Sequence, residues 1–519
     1  MSRIRFFNTT GPCNPNDHYM LPPKERLVGA QLHRYLRDSL YWVLHAPRQT
    51  GKTTFLQSWM REINATESYV ACYVSVETCQ GISNAEIAFP TICNAIKFFA
   101  TSFEVPVPQT NDTNSISLFG SMLHEWSKLV APKPLVVLFD EVDVLQDETL
   151  ITFLRTLRGG FASRGVGTFP VSVVLVGMRD LKDYIAASKG GFSPNPGSPF
   201  NIKADSAVIT NFSKENITRL FAQRTEETGQ QIAPDALDYV FEQSKGQPWI
   251  VNSLFARATM RVLDENCTQT VTLDHIREAR QQMILARETH LDALAYRLDN
   301  PQVRNIMQSL MSGEPDPTMA NSEAFRLCLD LGLVSLDQGM PQVTNPIYRE
   351  ILARQMTFGP QMAIPIPEWQ WQLADGNLNM DKLLHEFQVF WRRHADIWEE
   401  KSDYSEAFPH LLLMAFLQRV LNGGGRIERE YAAGRGRMDL AVEFNYKWFI
   451  IEIKLIHDYD APQTVEEEGL EQISRYRDKI DPAAQSYLVI FDRRSKSLQT
   501  PWADRIQWRM VGDIAVLSC

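Results

Sequence analysis

Short apolar runs alternate with helical spacing over the first third of the chain. Residues 41–45 (YWVLH), 70–76 (VACYVSV), 135–139 (LVVLF) and 171–176 (VSVVLV) read as strands; helices read from Thr53, near 89–101 and near 149–158. Runs that are apolar throughout need cover on both faces, so the alternation predicts a mostly parallel sheet between helices, an α/β nucleotide-binding core. Residues 101–115 read as a polar insertion and residues 189–199 (KGGFSPNPGSP) as a surface loop. From Ser213 to about Leu294 the pattern turns helical, with SKEN as a helix start and amphipathic spacing through Leu220, Phe221, Leu237, Val240 and Phe241. Residues 302–355 read as helices followed by a hairpin, 331–336 (LGLVSL) and 341–345 (PQVTN), the order of a winged-helix module. Pro360, Pro365 and Pro367 then break the pattern. Beyond them come helices near 383–398 and 404–421, strands 438–444 (MDLAVEF) and 448–455 (WFIIEIKL), a helix near 469–479 and a strand at 487–491, a second α/β unit.

The expected architecture is therefore α/β and multidomain: a core over residues 1–205, a helical lid over 206–295, a winged-helix module over 296–365 and the second α/β unit over 366–519. A length of 519 residues agrees, since single cores stop growing at about 250–300 residues. With 44% hydrophobic and 22% charged residues, global disorder is excluded. A formal charge of -10 argues against a generally basic nucleic-acid coat, although a local basic groove fits inside an acidic average. The seven cysteines are scattered with no Cys-x-x-Cys pair, which suits a reducing compartment. The first residues have no apolar stretch of signal-peptide type and no run approaches a membrane span, so a cytoplasmic protein with no membrane partner is expected.

Residues 46–54, Ala46, Pro47, Arg48, Gln49, Thr50, Gly51, Lys52, Thr53 and Thr54, follow a strand and open a helix, the context that a phosphate-binding loop requires. There, backbone N–H groups cradle phosphate oxygens, Lys52 reaches the β/γ-phosphates of ATP and Thr53 ligates Mg²⁺. Ala46 stands where the pattern has glycine, which is tolerable at negative φ. The run LVVLFDEVD delivers Asp140 and Glu141 at a strand end and resembles a Walker B motif: Asp140 would hold Mg²⁺ and Glu141 would polarise the attacking water. Arg179, after the strand 171–176, is placed to sense the γ-phosphate. With FFNTTGPCNPNDHYMLPP, GMRD, SPFNI and GQPWIVN, these stretches resemble the AAA-like and STAND-like P-loop ATPases of prokaryotes, including archaeal-type ones, over roughly residues 1–355. The resemblance implies that Gly246-Gln247-Pro248 brings Pro248 to the nucleotide; ending a helix is its other reading. Arg155, Arg158 and Arg164 read either as solvated helix charges or as an arginine finger for a neighbouring copy, which keeps a homo-oligomer among the expected partners.

The C-terminal region holds a second constellation: Glu406 on a helix, Asp439 at a strand start, Glu452 and Lys454 on the next strand, and Gln472 and Tyr476 on a helix. Side chains two apart on a strand share a face, so Glu452 and Lys454 point together. Carboxylates and a lysine in an otherwise apolar hairpin are costly without metal or paired charge. Phosphodiester hydrolysis explains the grouping: Glu406, Asp439 and Glu452 would hold one or two Mg²⁺, or Mn²⁺, and Lys454 would orient water or stabilise phosphate charge. The set resembles the PD-(D/E)XK nuclease superfamily over about residues 380–495, and Gln472 and Tyr476 resemble the Gln-x-x-x-Tyr of its RecB-like branch, where they support core and substrate. Arg426, Arg429, Arg435 and Arg437 read either as phosphate contacts or, with Glu428 and Glu430, as a solvated loop.

Two functions follow. One is an ATP-regulated, metal-dependent nuclease acting on nucleic acid, DNA before RNA, in DNA metabolism or defence against foreign DNA. The other is a regulatory ATP switch whose nuclease-like domain binds nucleic acid or protein without cutting.

Overall fold

The computed structural model describes residues 4–164, 169–178, 203–286, 296–312, 319, 322–363, 373, 377–399, 412–414, 416–417, 426–428, 440–445, 447–456, 459–492, 494 and 501–519. The chain divides into two compact units, residues 1–287 with 329–332, and residues 288–328 with 333–519.

The first unit is built on six strands: β1 (Leu27–Val28), β2 (Tyr41–His45), β3 (Val70–Ser75), β4 (Leu135–Asp140), β5 (Ser172–Gly177) and β6 (Lys203–Ile209), in the order β1-β6-β2-β5-β4-β3. All neighbours are parallel except β1 against β6. Because successive side chains alternate between faces, each strand feeds two cores. Tyr41, Val43, Val137 and Phe139 pack under α3 (Ala85–Ser102), α4 (Leu118–Val130) and α5 (Asp147–Ser163), where Phe89, Phe119 and Phe153 interleave. Trp42, Leu44, Val136 and Leu138 pack on the other face under Phe55, Leu56 and Trp59 of α2 (Lys52–Ala65) and Tyr35 of α1 (Leu32–Arg37). Strands β2, β3, β4 and β5 carry no Asp, Glu, Lys or Arg except Asp140 at the C-terminal end of β4, the edge at which β2 also runs into the loop 46–51.

Among the described residues β6 is followed by the α-helices α6 (Lys214–Thr228), α7 (Pro234–Ser244), α8 (Pro248–Arg257) and α9 (Leu273–Leu285). Ser213 caps α6, its side chain accepting from Asn216 N–H while the Asn216 side chain returns the bond, and Gly229 closes the helix at φ 78°.

The second unit opens with α10 (Pro301–Ser312), α11 (Glu323–Asp330), the antiparallel hairpin β7 (Val334–Asp337) and β8 (Met340–Val343), and α12 (Pro346–Ala363). Helix α13 (Met380–Glu399) precedes a second sheet of β9 (Arg426–Glu428), β10 (Leu440–Phe444), β11 (Lys447–Ile456), β12 (Gln485–Asp492), β13 (Gln507–Val511) and β14 (Ile514–Ser518), ordered β13-β14-β12-β11-β10-β9. Strands β11, β12 and β14 are parallel, and β10 pairs antiparallel with β11. Helix α14 (Pro462–Ile480) covers one face through Ile473 and Tyr476, and α13 covers the other through Leu383, Leu384 and Phe387. Two differences from the sequence reading stand out. Strands β13 and β14 extend the sheet past 491, and α14 starts at Pro462, its first turn holding polar residues that carry no apolar period.

Candidate nucleotide site and nuclease core

The loop after β2 bends through two left-handed residues, Gln49 (φ 58°) and Gly51 (φ 94°), and Gly51 becomes the N-cap of α2. Ala46 is outside the left-handed region, buried, and donates its N–H to the Gly177 carbonyl at the end of β5 (3.3 Å). A methyl group is no burden there. Lys52 Nζ donates to the Ala46 and Pro47 carbonyls (2.8 and 2.9 Å), and the Thr50 hydroxyl also donates to Pro47 (2.9 Å). Thr54 Oγ1 accepts from Cys13 N–H (3.1 Å), which ties the N-terminal segment to the loop.

Asp140 closes the far side. Its Oδ2 accepts from Thr53 Oγ1 (2.6 Å) and from the Tyr73 hydroxyl (3.2 Å). Burial pushes the Asp140 carboxyl up, opposed by the Thr53 hydrogen bond and the Lys52 charge. Burial lowers Lys52 against the pull of Asp140, Asp143 and Glu141. Glu141 sits at φ 59°, outside the strand, and its Oε2 accepts from Ser75 Oγ (3.2 Å). Half-burial and then the Asp140 charge raise its carboxyl to about 7, the range in which a carboxylate trades protons with water.

These groups line one cavity of about 430 Å³. Arg48, Gln49, Gly51, Lys52, Thr53 and Thr54 form one wall, and Asp140 and Glu141 another. Pro248, the first residue of α8, lines it with Trp249 and Asn252; Trp249 Nε1 donates to the Thr9 carbonyl (2.9 Å). Asn8, Cys13, Tyr19, Arg26 and Phe212 are among the other residues that line the cavity. A cavity this size, with cations on the loop wall and a hydroxyl–carboxylate pair beside Lys52, suits a nucleotide's phosphate chain, and Thr53 and Asp140 supply oxygen donors of the kind a divalent metal would take. Arg179 lies outside the described residues. Arg155 and Arg158 are exposed on α5, while Arg164 lies over the Phe161 ring (3.3 Å) and donates to the Phe161 carbonyl (2.9 Å).

Sequence reasoning did not single out Tyr73, Ser75, Cys13, Tyr19, Arg26, Phe212, Trp249 or Asn252. Tyr73 and Ser75 carried a usable signal: polar groups at the C-terminal end of an otherwise apolar strand next to β4.

In the second sheet, Glu452 and Lys454 lie on β11 with Lys454 Nζ 3.2 Å from Glu452 Oε1. Glu452 is buried at 1% side-chain exposure and Lys454 is at 20%, so the cation forms the open end of the pair. Helix α14 packs directly on β11 and β12 at Gly469, where a Cβ would come within 2.6 Å of Leu488 Cδ1 and 3.4 Å of Lys454 Cγ. One and two turns on, Gln472 turns a buried Oε1 inward with no hydrogen-bond partner among the described residues, and Tyr476 packs with Ile450 and Leu488. Glu406 and Asp439 lie outside the described residues, as do Arg429, Arg435 and Arg437; Arg426 begins the edge strand β9. Glu452 is thus the one predicted metal-ligating carboxylate of this set whose place is described.

Residues 404–491 match the PD-(D/E)XK nuclease superfamily. No curated protein matches the chain. Among solved structures, the Walker-type ATPase PABY2304 of Pyrococcus abyssi is similar at 12% identity and TM-score 0.48, over 67% of this chain and 99% of that one. Cdc6p from Pyrobaculum aerophilum follows at 14% identity and TM-score 0.36, over 63% and 91%. The RuvB Holliday junction branch migration motor of Thermotoga maritima stands at 12% identity and TM-score 0.33, over 62% and 90%. By its loop, sheet and cavity the first unit is a P-loop α/β core of the ATPase type. The chain joins that core to a C-terminal PD-(D/E)XK nuclease domain, and both are enzyme folds. Among the described residues no helix is long and apolar enough to cross a membrane.

Proposed function

We propose that this protein is an ATP-regulated nuclease in which ATP binding or turnover in the first unit controls metal-dependent cutting of nucleic acid, DNA before RNA, by the second. The observation that carries the reading is the Thr53–Asp140 contact (2.6 Å) beside Lys52, in a chain whose later strand β11 presents the Glu452–Lys454 pair. Lys52 and the loop amides bind the phosphates, Glu141 orients and deprotonates water, and Ser75 holds the Glu141 carboxylate. Mg²⁺ on Thr53 and Asp140 would neutralise the developing phosphate charge. In the nuclease domain, Glu452 with Glu406 and Asp439 is assigned to Mg²⁺ or Mn²⁺, Lys454 to water or the scissile phosphate, and Gln472 and Tyr476 to supporting the site. Arg179 and Pro248 complete the nucleotide contacts. The domain scheme is a core over residues 1–205, a lid over 206–295, a winged helix over 296–365 around the β7–β8 hairpin, and the nuclease over 366–519, in a cytoplasmic protein of DNA metabolism or defence.

The test incubates purified protein with single- and double-stranded DNA and RNA, with Mg²⁺ or Mn²⁺, with and without ATP. Cutting that requires metal, disappears in Lys454→Ala and changes its ATP response in Lys52→Ala is the expected result. Absence of cutting on every substrate in every nucleotide state, with nucleic-acid binding retained, replaces the nuclease by a non-cutting ATP switch. An unchanged ATPase rate in Lys52→Ala removes the phosphate-loop assignment.

A further inference from the structure

Arg26 ends a short helical turn, Pro23–Arg26, and its side chain is buried to 7% exposure. Nη1 is fully used: it donates to the Thr50 carbonyl in the phosphate loop (2.9 Å) and to the Thr210 carbonyl just after β6 (2.8 Å). The guanidinium lies 4.8 Å from the centre of the Phe212 ring. Among the described residues no carboxylate pairs with it, and Nε has no acceptor. Burial draws the group down to about 10, so it remains a cation at neutral pH. A buried, hydrogen-bonded arginine with no counter-ion is costly unless an anion joins it.

The free end of the fork shows where that anion goes. Nη2 stands 2.9 Å from the position a Cβ on Gly51 would take, and both residues line the nucleotide cavity. It makes no hydrogen bond to the protein and is not sealed from solvent among the described residues, so its two N–H groups face the cavity beside the loop turn. Loop amides at that turn cradle the α/β end of a nucleotide's phosphate chain, while the loop lysine serves the β/γ end.

We propose that Arg26 is a phosphate-binding residue of the nucleotide site, donating through Nη2 to the α/β-phosphates next to Gly51. The inference rests on reading the cavity as the ATP site. Arg26 and Lys52 then divide the phosphate chain between them: Arg26 holds what ADP and ATP share, and Lys52 reaches toward what they do not. Since Nη1 also bridges Thr50 and Thr210, the same side chain fixes the loop against the start of the lid.

The experiment is calorimetric titration of the full chain with ADP and with ATP, with EDTA present to prevent turnover, for wild type, Arg26→Met and Arg26→Lys, each checked for folding by circular dichroism. Arg26→Met is expected to weaken ADP and ATP by the same factor, about ten- to a hundredfold, the value of a hydrogen bond to a charged group. Arg26→Lys keeps a cation that binds phosphate as a point charge but loses the two-carbonyl fork, so it is expected to recover part of that loss. If Arg26→Lys binds as poorly as Arg26→Met, Arg26 is a structural clamp and the proposal falls. Unchanged affinity in Arg26→Met also overturns it while leaving the ATP site standing. A wild-type chain that binds neither nucleotide overturns the site and the proposal together.

Discussion

Replacing Gly246 with alanine tests how the helices that follow β6 are tied to the cavity. Gly246 sits at φ 75°, where a side chain costs about 1–2 kcal/mol. A Cβ there would overlap the carbonyl oxygen of Phe212, backbone against backbone, so the two segments must separate. Separation breaks the bond from Phe212 N–H to the Gly246 carbonyl (2.8 Å), worth about another 1 kcal/mol. The combined loss of about 2–3 kcal/mol corresponds to a fall of roughly 3–5 °C in the melting of a unit of this size. Phe212 also lies against Arg26 and lines the cavity, so ATP affinity should fall with stability. Thermal unfolding followed by circular dichroism, with and without ATP, identifies the transition of the first unit as the one that nucleotide raises. If Gly246→Ala leaves that transition and its ATP shift where they are in wild type, the close approach of Gly246 to Phe212 is not a constraint on the fold.

Three further outcomes follow from single contacts. Ser75→Ala removes the hydroxyl that donates to Glu141, and should lower ATP turnover about tenfold at unchanged KM, the effect of one mispositioned hydrogen bond, read by steady-state phosphate release. Phe153→Ala empties a fully buried position between Phe119 (4.9 Å) and Phe139 (5.3 Å), and should cost about 3–5 kcal/mol in urea unfolding of the first unit. Tyr487→Phe deletes the hydroxyl that donates to Asp381 (2.7 Å) and should destabilise the second unit alone by about 1 kcal/mol, visible as an earlier urea midpoint for that unit.

The strands that the sequence made legible are those buried on both faces. The four apolar runs 41–45, 70–76, 135–139 and 171–176 became β2, β3, β4 and β5 because each is covered on both faces, β3 included although it ends the sheet. Strand β6 was harder to read: Lys203–Ile209 includes Lys203, Asp205 and Ser206, which its place beside the two-residue edge strand β1 tolerates. At the other end of the chain, β13 has mostly exposed side chains because it forms a sheet edge, so it lacks the apolar signature. Its turn was nevertheless written in the chain: Gly512 at φ 64° beside Asp513, between two runs of strand character.

The same distinction between local and distant partners governs the sites. Glu452 and Lys454 are two residues apart on one strand, so strand periodicity alone puts them on one face, and their 3.2 Å approach needs no knowledge of the rest of the fold. Thr53 and Asp140 are far apart in sequence, but each follows an apolar strand at the C-terminal edge of a parallel sheet, and that shared edge brings them to 2.6 Å. Arg26 has neither kind of signal. Its acceptors lie 24 and 184 residues away, and in sequence it is one of three charges in a row, Lys24-Glu25-Arg26, that reads as a solvated turn. Glu25 indeed pairs with Arg219 and Lys24 with Glu62 at the surface. Only the turn geometry that buries every third residue separates Arg26 from its neighbours. A charge's chemistry is therefore legible when its partners are fixed by strand or loop periodicity, and illegible when burial itself supplies the function.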